Sequence, residues 1–244
     1  LQIVEEEERG YVNFNYTSLR FSLQNGLVHF GDAQRKINAD AKNVALNIQP
    51  ENPTAPDEQK RYQFDLTSTQ STVVYDEKPI EPVDVYVKGL AYREGAQITE
   101  LKLNSPVADT VLSGTVEGWT PLRYNFKIDS TIDLTQTGTI FASGTALRGF
   151  GNFSGTVAGA GENYTIDGEV NSESLAADNI RLKALQATAK VEVGADGVYE
   201  ANGRAVAEML TYEDFQISFP RLIGNVRGSG TDFKWFGELQ AAAA

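Results

Sequence analysis

The chain has no cysteine, and its 244 residues include only one histidine and one methionine. The absence of cysteine excludes disulfides, thiolate nucleophiles and zinc–thiolate sites. A Ser-His-Asp triad would have to use the single histidine, His29, and a zinc site would need carboxylates for most of its ligands. We therefore interpret His29 as an ordinary strand residue. The sequence favours a protein that is not an enzyme and uses no cofactor or metal.

Basic residues and long apolar runs are also scarce. Lys and Arg number 21 against 33 Asp and Glu, which gives a formal charge of −12. Binding to nucleic acid needs clustered Lys and Arg that displace counterions from phosphates, so a nucleic-acid partner is excluded. No apolar run approaches the length of about 18 residues typical of a membrane-spanning helix. Because it opens on Leu1-Gln2-Ile3-Val4 and ends in four alanines, we interpret the chain as a segment of a longer protein.

Two local patterns superficially resemble chemical sites. The glycines between Gly149 and Gly155 lack the spacing and the following helix of a phosphate-binding loop, so turn and strand glycines are expected there. Neighbouring acids occur at Asp57/Glu58, Asp76/Glu77 and Glu213/Asp214. Adjacent residues of a strand point to opposite faces, and no calcium-loop motif accompanies these acids, so they are interpreted as solvated surface.

Alternation with a period of two residues runs along almost the whole chain. In the stretch from Leu122 to Ile128, Tyr124 and Phe126 alternate with charged and polar residues, which is typical of a strand with one buried face. The same alternation recurs in many other runs. Their apolar members are Val12, Phe14, Tyr16; Val44, Leu46, Ile48; Tyr62, Phe64, Leu66; Val83, Val85, Val87; Tyr164, Ile166, Val170; and Phe215, Ile217, Phe219.

Turn residues separate these runs at short intervals and predict antiparallel pairing. Asn25-Gly26 predicts a hairpin, because both residues tolerate the positive φ of a type I′ turn, and Arg93-Glu94-Gly95 and Gly194 to Gly197 predict further turns. The pattern indicates roughly fifteen short strands in a single continuous sheet over residues 1–244, with a flexible loop at 50–60.

Irregular features are few. We expect a turn or bulge near Ala184, and at most one or two helical turns, near Ser174 to Asp178 or Ala205 to Leu210. Trp119 and the aromatic cluster Asp232 to Phe236 could form a ligand platform or a membrane girdle. A packed core is the favoured prediction, because aromatic side chains bury large areas.

A sheet with one apolar face must have that face covered, since burial of a side chain such as Leu or Phe contributes about 1.5 to 3 kcal/mol. A second sheet would cover it in a sandwich, lipid would cover it in a membrane barrel, and acyl chains could occupy it in a curled open sheet. Periodicity does not separate these three arrangements.

Several segments resemble the repeat region of the AsmA and TamB superfamily, the bacterial relatives of bridge-like lipid-transfer proteins. A strand of alternating leucines at 96–105 leads into the Leu-x-Gly-x-Val strand at 110–116. Gly155 to Val170 repeats this style, and Ala177 to Lys183 adds a similar turn. Together the similar segments span about residues 10 to 235.

The resemblance implies an all-β fold: an elongated, curled antiparallel sheet, or β-taco, with an apolar concave face. It implies a periplasmic protein, anchored in the inner membrane at full length, that conducts phospholipid to the outer membrane or assists outer-membrane protein assembly with an Omp85-family partner. No catalytic residues are implied. Phospholipid acyl chains would lie along fifteen residues: Val85, Val87, Leu101, Leu103, Leu112, Val116, Leu122, Tyr124, Phe126, Ile128, Phe153, Val157, Tyr164, Ile166 and Val170.

Three other classes of protein remain as alternatives to this hypothesis. A transmembrane barrel would need strands of about 9 to 11 residues with aromatic girdles, and several strands are expected to be too short and too broken by charges for it. A structural or adhesive β-solenoid or β-sandwich surface protein would share the alternation but would have a dry core. An enzyme is the least favoured class, because the chain lacks a set of nucleophile, base and metal ligands.

Overall fold

The prediction of an all-β, curled antiparallel sheet is confirmed by a computed structural model, which describes residues 20–33, 36–118, 120–141, 146–230 and 232–241. These residues form one open antiparallel sheet of fifteen strands. The predicted strand around Val12, Phe14 and Tyr16 and the placement of Trp119 lie outside the described residues.

Strands account for most of the described chain. Their bounds are β1 Phe21–Asp32, β2 Ile37–Pro50, β3 Arg61–Tyr75, β4 Lys78–Tyr92, β5 Gly95–Asn104, β6 Ala108–Glu117, β7 Arg123–Asp133, β8 Leu147–Ala160, β9 Asn163–Ala177, β10 Ile180–Val193, β11 Val198–Val206, β12 Met209–Tyr212, β13 Phe215–Ser218, β14 Arg221–Ser229 and β15 Asp232–Gln240. The predicted number of strands is right, but most strands are longer than the short strands expected, at 9 to 15 residues.

Nearly every strand pairs with its neighbours in sequence. The order across the sheet is β1 to β11, then β14 and β15, so thirteen strands form a single path. The small β12–β13 hairpin lies off this path and pairs with the start of β10, next to the end of β11. Among the described strands, β1 and β15 are the two edges of the sheet, and each has one hydrogen-bonded neighbour.

The turn predictions are partly right. Arg93-Glu94 joins β4 to β5, and the Gly194 to Gly197 segment joins β10 to β11, as predicted. The hairpin predicted at Asn25-Gly26 is wrong, because β1 continues through both residues. Asn25 has a φ of 53°, and the pairing with β2 shifts on either side of Gly26, so the Asn-Gly pair forms a bulge within a long strand.

Two of the acid pairs interpreted as solvated surface are two-residue hairpin turns. Asp76-Glu77 joins β3 to β4 with φ values of 44° and 68°, and Glu213-Asp214 joins β12 to β13. All four side chains are exposed. The third pair begins a 3-10 helix, Asp57–Gln59, in the connection between β2 and β3, which is the loop predicted at 50–60, although Pro50 itself belongs to β2.

The helix prediction is wrong in its location. Residues 174–177 and 205–206 belong to strands, and the helix of the described residues, α1, spans Leu134–Phe141 between β7 and β8. Asp133 caps its first turn: its Oδ1 accepts hydrogen bonds from the backbone N–H groups of Thr135 at 2.8 Å and Gln136 at 3.1 Å. The sequence prediction missed this helix because it contains three threonines and a glycine, which have low helix propensity.

The turn or bulge predicted near Ala184 is not present, because β10 continues through this residue and its register against β9 is the same on both sides. Lys183 lies opposite Ser174 and Leu185 opposite Ser172, so Ala184 adds no residue to the strand. Ala184 is nevertheless a left-handed residue, with a φ of 51°.

Glycines of the strands concentrate on one face of the sheet, the same face that carries the apolar side chains. An aromatic ring of a neighbouring position lies over several of them: an added Cβ on Gly168 would lie 2.8 Å from the Phe153 ring, and one on Gly159 would lie 2.7 Å from the Tyr124 hydroxyl. Backbone also approaches closely, since the Gly168 Cβ would lie 2.6 Å from the Ser154 carbonyl oxygen. Glycine thus makes room for side chains that crowd together on the concave side of a curled sheet.

We predict that Gly168→Val destabilises the sheet, because a side chain at this position meets both the Phe153 ring and the backbone of β8. The expected loss is about 1 to 3 kcal/mol in the free energy of unfolding, the usual cost of overpacking. Urea denaturation followed by circular dichroism measures it. Thr156→Val, at an exposed position of β8, is the matched control and should change stability by less than about 0.5 kcal/mol. Equal stability of the two variants would contradict the crowding.

Candidate functional site

The pairing register separates the two faces of the sheet by chemistry. Residues paired across antiparallel strands lie on the same face, so a row can be followed from edge to edge. The central row on the apolar face is Leu23, Leu46, Leu66, Val87, Leu101, Leu112, Ile128, Gly155, Gly168, Ala189, Gly203, Gly224 and Gly237. Every member is apolar or glycine across all thirteen strands of the path.

A neighbouring row on this face is also apolar. It consists of Phe21, Ile48, Phe64, Gly89, Ile98, Gly114, Phe126, Val157, Ile166, Val191, Ala201, Val226 and Trp235. We call the surface formed by these two rows and the apolar residues beside them the apolar face. The bulges in β1, β3 and β5 shift the pairing locally but leave the apolar residues on this face.

Fourteen of the fifteen residues predicted to line a groove lie in strands on the apolar face: Val85 and Val87; Leu101 and Leu103; Leu112 and Val116; Tyr124, Phe126 and Ile128; Phe153 and Val157; Tyr164, Ile166 and Val170. The structure thus brings strands β4 to β9 together in the expected phase. The fifteenth, Leu122, immediately precedes β7 and is 39% exposed.

The face extends beyond the predicted residues on both sides. Leu46 and Leu66 continue it toward β1, and Val191, Val226 and Trp235 continue it toward β15. Their alternation was visible in the sequence. Alternation gives the phase within one strand, but only the register between strands shows that separate runs share a face.

Over most of its extent the apolar face has no other layer of described residues on it. Among the described residues no large side chain is fully buried, and the buried hydrophobic residues are limited to Val44, Val83, Val107, Ile140 and Ala207. The side chains of the two rows are mostly half-buried against their neighbours in the sheet. A sandwich or a solenoid with a dry core would bury this face completely.

Helix α1 covers the apolar face only locally, at one end of the strands. The methyl group of Leu134 lies 3.9 Å from an added Cβ on Gly151, and the Phe141 ring lies 4.9 Å from the Tyr75 ring. Lys78 Nζ donates a hydrogen bond of 2.9 Å to the Thr139 carbonyl oxygen. The helix therefore connects β8 with the β3–β4 turn, beyond the ends of the shorter strands β5 and β6.

The aromatic cluster near the C-terminus is not in a packed core, contrary to the prediction. Every described residue of β15 is exposed, and Phe233 and Phe236 are each 65% exposed. The reason is topological: in the part of the chain that the structure describes, β15 has one neighbouring strand, β14, and no element packs on either of its faces.

The opposite face is polar and carries the ion pairs. The pairing places Lys88 opposite Asp65 on one side and Glu100 on the other. His29 also lies here, exposed, with its Nδ1 2.6 Å from Asp40 Oδ1. Open clefts lie between the rows of side chains on this face. One of them, of about 530 Å³, is bordered by Lys102, Asp109 and Asp129.

Ion pairs on the polar face raise the pKa of two lysines. A hydrogen bond from Lys102 to Glu100 raises the pKa of Lys102 above its ordinary value, and Glu192 raises the pKa of Lys190 in the same way. Both pairs are exposed, so they are surface ion pairs that keep the lysines charged. The described residues contain no group of three or more acidic or histidine side chains that could hold a metal ion.

Comparisons of the chain with models of protein families, with curated proteins and with solved structures find no match. Within the described part of the chain, no helix has the length and apolar character needed to cross a membrane.

We predict that the folded chain binds a hydrophobic fluorescent dye such as ANS, because apolar side chains remain accessible on one face. Dye fluorescence should rise in a saturable way under conditions where circular dichroism shows an intact sheet. A folded chain that leaves the dye fluorescence unchanged would mean that the apolar face is covered in solution.

Proposed function

We propose that this chain is a non-enzymatic segment of an envelope protein that conducts phospholipid, with the acyl chains lying on the apolar face. The observation that carries the proposal is the unbroken apolar register across thirteen strands, on a face that no second layer of described residues covers. In water such a face is costly, and hydrocarbon is a cover that matches its chemistry.

The dimensions of the face suit acyl chains. Thirteen strands give twelve spacings of about 4.8 Å, or about 58 Å from β1 to β15 along the rows. One acyl chain spans half of a bilayer core, about 15 Å. Several chains therefore fit end to end. A small compact ligand would instead call for an enclosed pocket with a few convergent polar groups.

The rows also suit movement along the face. Each strand presents an apolar side chain or glycine to the row, so a methylene group of an acyl chain meets apolar surface at every position and gains up to about 0.8 kcal/mol on full burial. No charged side chain interrupts the two rows. Transport on this proposal is passive, and head groups remain in water at the open side of the sheet.

The cellular setting belongs to the same proposal. The polar face and its ion pairs suit an aqueous compartment, and we place the protein in the periplasm, anchored at full length in the inner membrane, with an Omp85-family protein as a possible outer-membrane partner. Assistance in outer-membrane protein assembly is the related function implied by the family resemblance. The uncovered face favours lipid conduction over it.

Phe126→Asp and Ile166→Asp test the proposal, because each puts a charge in the same row of the apolar face. A carboxylate in contact with acyl chains costs about 2.5 kcal/mol or more, so co-purified phospholipid should fall by about tenfold or more. Native mass spectrometry of the purified chain measures bound phospholipid. Transfer of fluorescent phospholipid between vesicles should fall in parallel.

The matched controls are Asn125→Asp and Thr165→Asp, which add the same charge one residue away on the polar face. Both should retain phospholipid at the level of the unchanged chain. If the unchanged chain carries no phospholipid, or if all four variants carry the same amount, the proposal is wrong. Circular dichroism establishes that each variant keeps its sheet.

A further inference from the structure

The apolar face ends on one side in a row that contains four tyrosines. This row lies at or next to the strand ends, beside the turns at Arg93-Glu94 and Gly194 to Gly197. We call it the tyrosine row. From β2 to β15 its members are Pro50, Tyr62, Ala91, Ala96, Val116, Tyr124, Gly159, Tyr164, Val193, Tyr199, Gly228 and Phe233.

A fourth row lies on the other side of the central row, toward α1, and we call it the far row. From β3 to β15 its members are Ser68, Val85, Leu103, Thr110, Ser130, Phe153, Val170, Ala187, Ala205, Leu222 and Leu239. The tyrosine row and the far row are three steps of two residues apart, about 20 Å along the strands. An acyl chain of about 15 Å therefore fits between them when it lies along a strand.

The two margins of the face differ in burial. Among the described residues, the buried hydrophobic side chains all lie on the same side of the central row as the far row, at Val44, Val83, Val107, Ile140 and Ala207. The four tyrosines are half-buried, and the turns beside them carry exposed charges at Glu94, Glu162 and Asp196. A charged head group thus stays hydrated at the tyrosine row, whereas it would be desolvated beyond the far row.

Hydroxyl groups at the two margins also differ in their partners. In the far row, Ser68 Oγ donates a hydrogen bond of 3.0 Å to the Lys42 carbonyl oxygen, and Thr110 Oγ1 lies 2.7 Å from Ser130 Oγ. The hydroxyls of the four tyrosines make no hydrogen bond to a described residue. The tyrosine row therefore offers donors that a ligand can use, and the far row does not.

Three of these tyrosines recur at a regular interval. Tyr124, Tyr164 and Tyr199 lie on β7, β9 and β11, so neighbouring members are two strand spacings apart, about 10 Å. The Tyr124 hydroxyl lies over Gly159 on the next strand, 2.7 Å from an added Cβ, and Tyr199 lies over Gly228 in the same way. A side chain that is apolar along its ring and polar at its tip suits the boundary between hydrocarbon and water.

We propose that phospholipids lie side by side on the apolar face, with their acyl chains along the strands and their head groups at the tyrosine row. The methyl ends of the chains lie at the far row. This orientation rests on the proposed function and adds a direction to it. The length of the face also permits chains end to end along the rows, but the unlike margins favour chains across the rows. The tyrosine hydroxyls donate hydrogen bonds to phosphate or ester oxygens, and a lipid moves sideways from one hydroxyl to the next.

Quenching of tryptophan fluorescence by spin-labelled lipid tests this orientation. In a background with Trp119→Phe and Trp235→Phe, Tyr164→Trp places a single tryptophan at the tyrosine row, and Phe153→Trp places one at the far row. The probe is phosphatidylcholine with a doxyl group near either the glycerol end or the methyl end of one acyl chain. It is loaded from vesicles that are then removed by centrifugation.

The label near the glycerol should quench Tyr164→Trp at least about twofold more than Phe153→Trp, because the two rows are about 20 Å apart. The label near the methyl end should give the reverse order. Equal quenching of both tryptophans by each label, or the opposite order, overturns the orientation and leaves the proposed function standing. A folded chain that retains none of the labelled lipid overturns the proposed function, and the orientation with it.

Removal of the hydroxyls tests their role without loss of the rings. In the triple variant Tyr124→Phe/Tyr164→Phe/Tyr199→Phe, the dissociation constant for phosphatidylcholine should rise about fivefold or more, the effect of losing one or more hydrogen bonds. Binding of diphenylhexatriene, a hydrocarbon probe with no hydrogen-bond acceptor, should be unchanged. Fluorescence titration measures both ligands.

Tyr92→Phe is the matched control, since Tyr92 is a half-buried tyrosine at the same end of the strands but on the polar face. It should change the binding of neither ligand. Selective loss of phosphatidylcholine binding in the triple variant supports the role of the hydroxyls. Unchanged binding of phosphatidylcholine, or an equal loss of both ligands, overturns that role.

Discussion

The structure depends on one constraint: apolar and polar side chains alternate along each strand, and the pairing keeps that alternation in phase across the sheet. A slip of one residue at any strand would turn its apolar side chains to the polar face. Where a bulge adds a residue, as at Asn25, the strand continues with its apolar residues on the original side. The bulges thus bend the strands while the chemistry of each face is preserved.

Stability must arise without a conventional core. Few of the described side chains are buried, and strands contact mainly their neighbours in the sheet, while α1 contacts β4, β7 and β8. Side chains on the apolar face bury area against each other along the rows, and aromatic rings cover the glycines beside them. Such an architecture resembles repeat proteins, in which stability is a sum of nearest-neighbour terms.

The sequence predicted the class of fold, the number of strands and the phase of most apolar residues, because alternation over ten or more residues is a strong local signal. The prediction from sequence failed where the same residues suit two different local structures. Asn25-Gly26 suits a hairpin and a bulge equally, and only pairing with β2 decides between them. The α1 helix was missed because its signal lies in the cap at Asp133 rather than in propensity. The exposure of Phe233 and Phe236 follows from the position of β15 at the edge, which no local pattern reveals.

The candidate site shows the same division. Alternation identified fourteen residues that share the apolar face, but the extension of that face to β1 and β15 required the register between strands. Composition along the central row also changes, from leucine, valine and isoleucine in β1 to β7 to glycine and alanine in β8 to β15. Glycine and alanine fill less space above the backbone than leucine, valine or isoleucine. The apolar face is therefore deeper along the central row in β8 to β15 than in β1 to β7.

Because each strand contacts mainly the strands beside it in sequence, the architecture is modular. Insertion of one hairpin of matching alternation lengthens the rows by two strand spacings, about 10 Å, and leaves the existing pairs intact. Deletion of a hairpin shortens them by the same step. The length of the apolar face in such a protein is therefore set by the number of hairpins, and gain or loss of hairpins in evolution changes it in fixed steps.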